Sequence, residues 1–560
     1  MRTPSFFPRD GLPSNTLILA VIGFVALFGN GAFVANVLKA YPFSASNALA
    51  LLSLAVVFGG VGVLLLAPLC FRRSTKPVLI TVLLLSAAAA YFMDTYGIVF
   101  SDDMLRNITH THAAEVLELF TPRLFAYLLL LGVLPALAVG RVRLRPQTPG
   151  AEVIARLKLG GIALALAIGT VLAFGGFYAS FFREHRELRQ HANPVYFLYS
   201  SVKYTAELFR SGTVGPIEAI ASDAAIPATD VSRELVIMVV GETARADRFS
   251  LNGYARDTNP RLREKNVISF TNFRACGTST AVSVPCMFLL DGEAKGATAI
   301  TRQENLLDVL QRSGVNVLWR DNNSDSKGVA DRVEYQDYKS PAVNPLCDNA
   351  ECRDEGMLIG LQQYIDAHPT GDIFIVLHQV GNHGPAYFRR YPPEFEKFRP
   401  VCRESDLGRC SREEIGNAYD NAILYTDHFL AKAIELLQKN DNGFETALFY
   451  VSDHGESLGE NGLYLHGLPK AIAPDAQLHV PAVMWFGRNF HAVGSPALRG
   501  RAGMPYTHNN VFHTLLGFFE VQSGTYVAGL DMLNAARPAP ATATVRLSQT
   551  GADFPSRATR

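Results

Sequence analysis

The chain predicts an α-helical membrane domain of five spans, followed by a larger α/β domain with a largely parallel sheet on the outer side of the bilayer. Three observations predict it. The hydrophobic content of the 560 residues is an unremarkable 48%, but the first third is strongly apolar with few charges while the rest reads as a soluble domain. From Ser232 onward, short β-branched runs alternate with helical patterns, the signature of a parallel sheet covered on both faces. Six of the seven cysteines lie beyond the apolar third, in close pairs, which points to an oxidising compartment. Basic and acidic residues balance at 51 each, so no global charge draws the chain to nucleic acid. The same composition excludes disordered and fibrous classes.

The membrane domain is expected over residues 1–182. Apolar windows at 17–37, 48–69, 78–92, 124–140 and 159–182 approach or exceed the roughly 20 residues a bilayer-crossing helix needs, the third and fourth being short. The first window is too long for a cleaved leader, lacks a clear small-residue cleavage site and is followed by further spans, so it reads as a span. Lys and Arg set the orientation. Arg2 and Arg9 precede the first span, Arg72, Arg73 and Lys76 follow the second, and Arg141, Arg143, Arg145, Arg156 and Lys158 separate the fourth from the fifth. The alternate loops carry Lys39, or Arg106 and Arg123 against Asp102, Asp103, Glu115 and Glu118. The N-terminus is therefore cytoplasmic, and an odd number of spans places everything after Phe182 outside.

Residues 183–230 read as an interfacial connector, with the aromatics of Pro194-Val-Tyr-Phe-Leu-Tyr199 suited either to the headgroup level or to a helix packed on the outer domain. Residues 231–535 form the outer domain, and the Ala-, Pro-, Thr- and Arg-rich 536–560 a disordered tail. Buried strands are expected at 235–240, 315–319, 373–377, 447–451 and 482–486, with helices near 305–312 and 419–438. Six outer cysteines permit 15 pairings, and their proximity favours Cys276–Cys286, Cys347–Cys352 and Cys402–Cys410.

In an open parallel sheet, sites form beyond the C-terminal ends of the strands. Here those ends carry Gly241-Glu242-Thr243, Gly381-Asn382-His383-Gly384-Pro385, and Ser452-Asp453-His454-Gly455-Glu456 followed by Leu465-His466-Gly467. Singly, such residues cap helices or sit in turns. Together a Glu, an Asp and three His at one edge suit a borderline metal such as zinc. The remaining piece is Cys276-Gly-Thr-Ser-Thr-Ala-Val-Ser-Val-Pro-Cys286, a hydroxyl-rich loop leading into a helical run. Thr280 near its middle would feel the positive helix end, and a metal would lower its hydroxyl pKa further.

With these motifs in place, the chain resembles the lipid A phosphoethanolamine transferases, relatives of the alkaline phosphatases and sulfatases, over nearly its whole length. The resemblance rests on C-G-T-x-T-A-x-S-x-P-C at Cys276–Cys286, G-E-T-A-R at Gly241–Arg245 and S-D-H-G-E-S-L-G-E at Ser452–Glu460. It implies an alkaline phosphatase/sulfatase-like outer domain in the periplasm of a Gram-negative cell, anchored in the inner membrane and monomeric. It implies Thr280 as the nucleophile that carries phosphoethanolamine, one zinc ion held tightly by Glu242, Thr280, Asp453 and His454, and His383 and His466 at a second metal or the substrate phosphate. Lys327 in Asp325-Ser-Lys-Gly328 matches a substrate-contacting lysine, and Asn107, Thr111 and Glu115 match contacts to the donor head group. These three recur every fourth residue, so a helix would present them on one face. The implied donor is phosphatidylethanolamine and the acceptor a phosphate of lipid A or lipooligosaccharide, a modification that reduces susceptibility to polymyxins and cationic peptides. Alternatives are transfer to a core sugar or periplasmic glycan, or glycerol phosphate transfer as in lipoteichoic acid synthase, against which the six outer cysteines and the C-G-T-x-T-A loop argue. No C-x-P-x-R or S-x-P-x-R stretch near Thr280 supports a sulfatase. A non-enzymatic receptor would not need the ligand cluster.

Overall fold

A computed structural model describes residues 11–45, 47–109, 116, 118–183, 185, 188–211, 216–348, 351–490 and 495–534. The expected tail lies outside these residues, as do Thr111 and Glu115.

Among the described residues, four helices are long and apolar enough to cross a membrane: Ala48–Leu69, Thr75–Tyr96, Pro122–Arg141 and Pro149–Ala173. The first expected span is not one helix. Ser14–Phe28 and Gly31–Ala40 meet at 58°, and counting the pair as one span brings the total to five. Side chains distant in sequence stabilise the break. Asp94 Oδ1 accepts the Ala32 N–H at 2.6 Å, capping the second piece, while the Asn30 amide donates to the carbonyls of Val25 and Asn193 at 2.8 and 2.7 Å. The fifth stretch likewise ends at Ala173 and resumes as Gly175–Arg183. Within the connector, helix Val195–Ser211 packs on Asp102–Thr109 and on the Ala48–Leu66 helix, and Phe197 meets Phe100 edge to face.

Among the described residues, the outer domain is built on ten strands: β1 Glu234–Gly241, β2 Ile268–Arg274, β3 Asn316–Asp321, β4 Glu334–Asp337, β5 Ile373–His378, β6 Glu445–Ser452, β7 Ser457–Leu458, β8 Tyr464–Leu465, β9 His479–Phe486 and β10 Tyr506–Thr507. Eight form one sheet in the order β10-β2-β9-β6-β1-β5-β3-β4, and β7 pairs with β8 in a small ribbon. β1, one of the two central strands, is parallel to β5 and β6, and β3 is parallel to β4 and β5. β9, expected within the parallel alternation, runs antiparallel to both β6 and β2. Two reversals restore direction, so β2 ends at the same edge as β6.

Alternation along β1 explains why this strand is buried throughout. Val236, Met238 and Val240 enter one apolar core, and Leu235, Ile237 and Val239 enter the other. The second core does not stop at the outer domain, since Tyr91, Met93, Tyr96, Phe100 and Met104 from the membrane side belong to it. Gly467 marks how close the two parts come. Its φ is +88°, and a Cβ there would overlap the Met104 methyl.

Candidate active site

Register assembles the site. Val240 pairs with His378 across β1 and β5, Gly241 with Ser452 across β1 and β6, and Asp321 with His378 across β3 and β5. Residues just past those positions therefore converge: Glu242 after β1, Asn323 after β3 and Asp453 after β6. After β2, a stapled loop delivers Thr280 as the first residue of helix Thr280–Phe288. The Gly381-Asn382-His383 loop can lie against β1 because Gly381 lacks a side chain; a Cβ would sit 2.9 Å from the Glu242 carbonyl oxygen. Thr243 is held at φ +52°, a rare conformation for a β-branched residue, with its N–H donating to Asp453 Oδ1 at 3.1 Å.

The Thr280 hydroxyl donates to Glu242 Oε2 at 3.0 Å and lies 3.4 Å from His454 Nε2. His454 Nε2 is 3.4 Å from Glu242 Oε1 and 3.2 Å from Asp453 Oδ2, all three side chains being fully buried. Because a carbonyl can only accept, the 2.9 Å contact of His454 Nδ1 with the Gly455 oxygen places the ring proton on Nδ1 and a lone pair on Nε2. That lone pair faces two carboxylate oxygens, Glu242 Oε1 and Asp453 Oδ2, which are buried without hydrogen-bond partners. Burial pushes the Asp453 carboxyl up to about 6 and raises Glu242, while burial and the neighbouring His466 push His454 down to about 4. Three donor atoms within 4.8 Å of one another, two of them orphaned carboxylate oxygens, are what a divalent cation stabilises. The donor set fits zinc.

His466 and His383 flank this cluster, with the His466 ring centroid 4.3 Å from that of His454 and 5.5 Å from that of His383. His466 Nδ1 pairs with Glu456 Oε2 at 2.9 Å, and Glu456 Oε1 accepts the Tyr387 hydroxyl at 2.8 Å. Lys327 lies 3.5 Å from Asp325 Oδ1. Its ammonium donates to the Ser324 carbonyl at 2.5 Å, and its side chain lines a cavity of about 680 Å³ with Ala281, Pro285, Arg106 and Tyr204. A separate, apolar cavity of about 480 Å³ runs from His383 and His466 to Phe92, Met104, Ile108 and Phe197. Asn107 lines this second cavity. The three expected disulfides, Cys276–Cys286, Cys347–Cys352 and Cys402–Cys410, are formed.

Sequence reasoning missed Asn323, whose amide donates to Glu242 Oε2 at 2.7 Å and to the Gln379 carbonyl at 2.6 Å. It also missed the buried Asp321–His378 pair at 2.8 Å that fixes the loop carrying Asn323. The available signal was position: Asp321-Asn-Asn-Ser directly follows a strand, at the same edge as the other ligands.

Comparison with known proteins agrees with this geometry. The family model described as "Phosphoethanolamine transferase EptA/EptB" matches residues 60–209, and the Sulfatase model matches 234–521. Phosphatidylethanolamine transferase Mcr-1 from Escherichia coli is 42% identical over 533 residues, covering 93% of this chain and 97% of that protein. The chain belongs to the phosphoethanolamine transferase family. Phosphoethanolamine transferase EptA of Escherichia coli K12 is 40% identical over 94% of this chain and 98% of its own length. Among solved structures, the integral membrane lipooligosaccharide phosphoethanolamine transferase A of Neisseria meningitidis superposes with a TM-score of 0.89 at 36% identity, covering 94% of this chain and 99% of that one. This phosphoethanolamine transferase thus shares both the membrane helices and the sulfatase-like sheet with its relatives.

Proposed function

We propose that this chain, a zinc-dependent transferase of the inner membrane with its catalytic domain in the periplasm, moves phosphoethanolamine from phosphatidylethanolamine to a phosphate of lipid A by way of a phosphoethanolamine-threonine. The observation that carries the reading is Thr280, a helix-terminal hydroxyl bonded to a buried, partly orphaned carboxylate–imidazole cluster in a member of this family. The likeness to relatives so named supports the donor and the acceptor.

Glu242, Thr280, Asp453 and His454 would hold one zinc ion, and His383 and His466 a second or the substrate phosphate. When bound, the metal lowers the Thr280 hydroxyl pKa and offsets phosphate charge. Thr280 Oγ attacks the donor phosphorus, the bond to the glycerol oxygen breaks, and diacylglycerol leaves with a proton. His466, whose Nδ1 bonds Glu456, would hold that proton on its far nitrogen. A lipid A phosphate oxygen then attacks the same phosphorus, the bond to Thr280 breaks, and the proton of the acceptor's phosphate hydroxyl restores the Thr280 hydroxyl. Both displacements are in line, so the acceptor enters from the face that diacylglycerol has left, which requires departure before entry. The apolar cavity between His466 and the membrane helices would take the glycerol end of the donor. Lys327 is assigned to a substrate contact, and Asn107, Thr111 and Glu115 to the donor head group, the last two lying outside the described residues.

The product gains an ammonium on each modified phosphate, which lowers its attraction for cationic peptides such as polymyxin. Mass spectrometry of lipid A from cells with and without this chain tests the reading. A mass increase equal to phosphoethanolamine is expected; unmodified lipid A with a modified core sugar or glycan would move the acceptor elsewhere.

A further inference from the structure

Arg390 joins three parts of the molecule that the chemistry above leaves unconnected. It is 3% exposed, and each arm of its guanidinium is occupied. Nε donates to the His383 carbonyl at 2.5 Å, one terminal nitrogen reaches Glu118 Oε2 at 2.6 Å, and the other pairs with Glu351. Glu118 lies just before the membrane span Pro122–Arg141 and is itself only 8% exposed, with Arg389 3.6 Å from its second oxygen. Glu351 sits in the hairpin closed by Cys347–Cys352, and Arg353 of that hairpin donates to the Arg389 carbonyl at 2.5 Å.

Two charges taken out of water repay their desolvation only when geometry is good and the remaining hydrogen bonds are made. A planar fork spread over a membrane-side carboxylate, a site loop and a stapled hairpin meets that condition, and a lysine could not reproduce it. We propose that Glu118 and Arg390 are positioning residues that dock the membrane-side segment against the His383 loop and so set where the donor phosphate meets Thr280, with the Cys347–Cys352 hairpin bracing Arg390 through Glu351. This inference rests on the proposed transfer reaction. Neither side chain belongs to the metal cluster, so Glu118 acts on how a bilayer lipid is presented and not on bond breaking, whereas Arg390 also holds the His383 loop.

The test uses the full chain in phosphatidylethanolamine vesicles. It follows formation of the Thr280 adduct against donor content, beside hydrolysis of a water-soluble nitrophenyl phosphodiester. Glu118→Gln leaves the Arg390–His383 bond in place. It should raise the donor KM about tenfold at nearly unchanged kcat, with diester hydrolysis within about twofold of wild type. Arg390→Lys releases His383 as well and should lower kcat in addition. The double variant should show no further rise in KM beyond Arg390→Lys, because the two act through one contact. A wild-type KM in Glu118→Gln would overturn the inference, as would a parallel fall of KM-dependent transfer and diester hydrolysis. Absence of any adduct in the wild type would instead sink the transfer reaction itself.

Discussion

At the scale of single residues, Thr280 carries the most weight. Thr280→Ala removes one hydroxyl from a site with no room for collapse, so the fold should persist while transfer drops by at least about 10³-fold. Intact-mass analysis after exposure to donor without acceptor should find one added phosphoethanolamine in the wild type and none in the variant. Asp321 makes a different prediction. Burial alone would raise its carboxyl, yet the His378 imidazolium and Lys339 hold it below the usual carboxylate range, and Asp321 in turn raises His378 against the effect of its own burial. The pair therefore stabilises the fold above the unfolded Asp value of about 3.9, losing that contribution as pH falls toward the depressed Asp321 value or rises through the raised His378 value. Asp321→Asn strands a buried imidazole and should cost about 3–5 kcal/mol. It should also loosen Asn323 on Glu242. A melting temperature equal to the wild type at neutral pH would contradict this.

Elements decide how Thr280 is aimed. The loop closed by Cys276–Cys286 spans 10 residues of sequence, and such a closure contributes about 2–3 kcal/mol through the unfolded chain. Its backbone is also tied down directly, the Cys276 N–H meeting His508 Nδ1 at 3.3 Å and the Gly467 N–H donating to the Thr278 carbonyl at 2.8 Å. Replacing both cysteines by serine should therefore lower adduct formation more than the same change at Cys402 and Cys410, whose loop accepts the Tyr96 hydroxyl at the Ser405 carbonyl. Comparable losses at the two bridges, measured at equal amounts of folded protein, would make Cys276–Cys286 a staple of stability alone.

Over the whole molecule, metal and membrane attachment are separable. Chelation should abolish transfer and also lower the melting temperature, because the orphaned carboxylates of Glu242 and Asp453 then face one another without a cation. Zinc should restore both. A chain shortened to residues 231–535 keeps every proposed metal ligand and the far-face core apart from Ile220 and Ala221, so it should bind zinc and cleave a soluble diester. It lacks the membrane-side residues of the second core and most of the lining of the apolar cavity. Transfer from vesicle phosphatidylethanolamine should be lost; retention at the full-length rate would show that the membrane helices only anchor the enzyme.

Much of this was legible in the sequence because the relevant signals are local. A run of about 20 apolar residues, a β-branched strand, a Gly-Glu-Thr turn or a Ser-Asp-His-Gly strand end declares itself within a short window. Close cysteine spacing did the same for the three bridges. That Glu242, Asp453 and His454 lie at one sheet edge followed from chain direction, once the strands were taken as parallel, whereas Thr280 follows β2, a strand the sequence reading did not expect. What the tertiary structure decided depends on partners distant in sequence. The bend between Phe28 and Gly31 needs Asp94 and Asn193, neither visible in an apolar window. The reversed β9 is set by its pairing with β6 and β2, because a fully buried strand has the same composition in either direction. Asn323 on Glu242 and Arg390 on Glu118 are contacts across 81 and 272 residues, and short patterns hold no record of such pairs. The sequence named the chemistry at each strand end; only packing brought those ends within hydrogen-bond reach and placed them at the membrane.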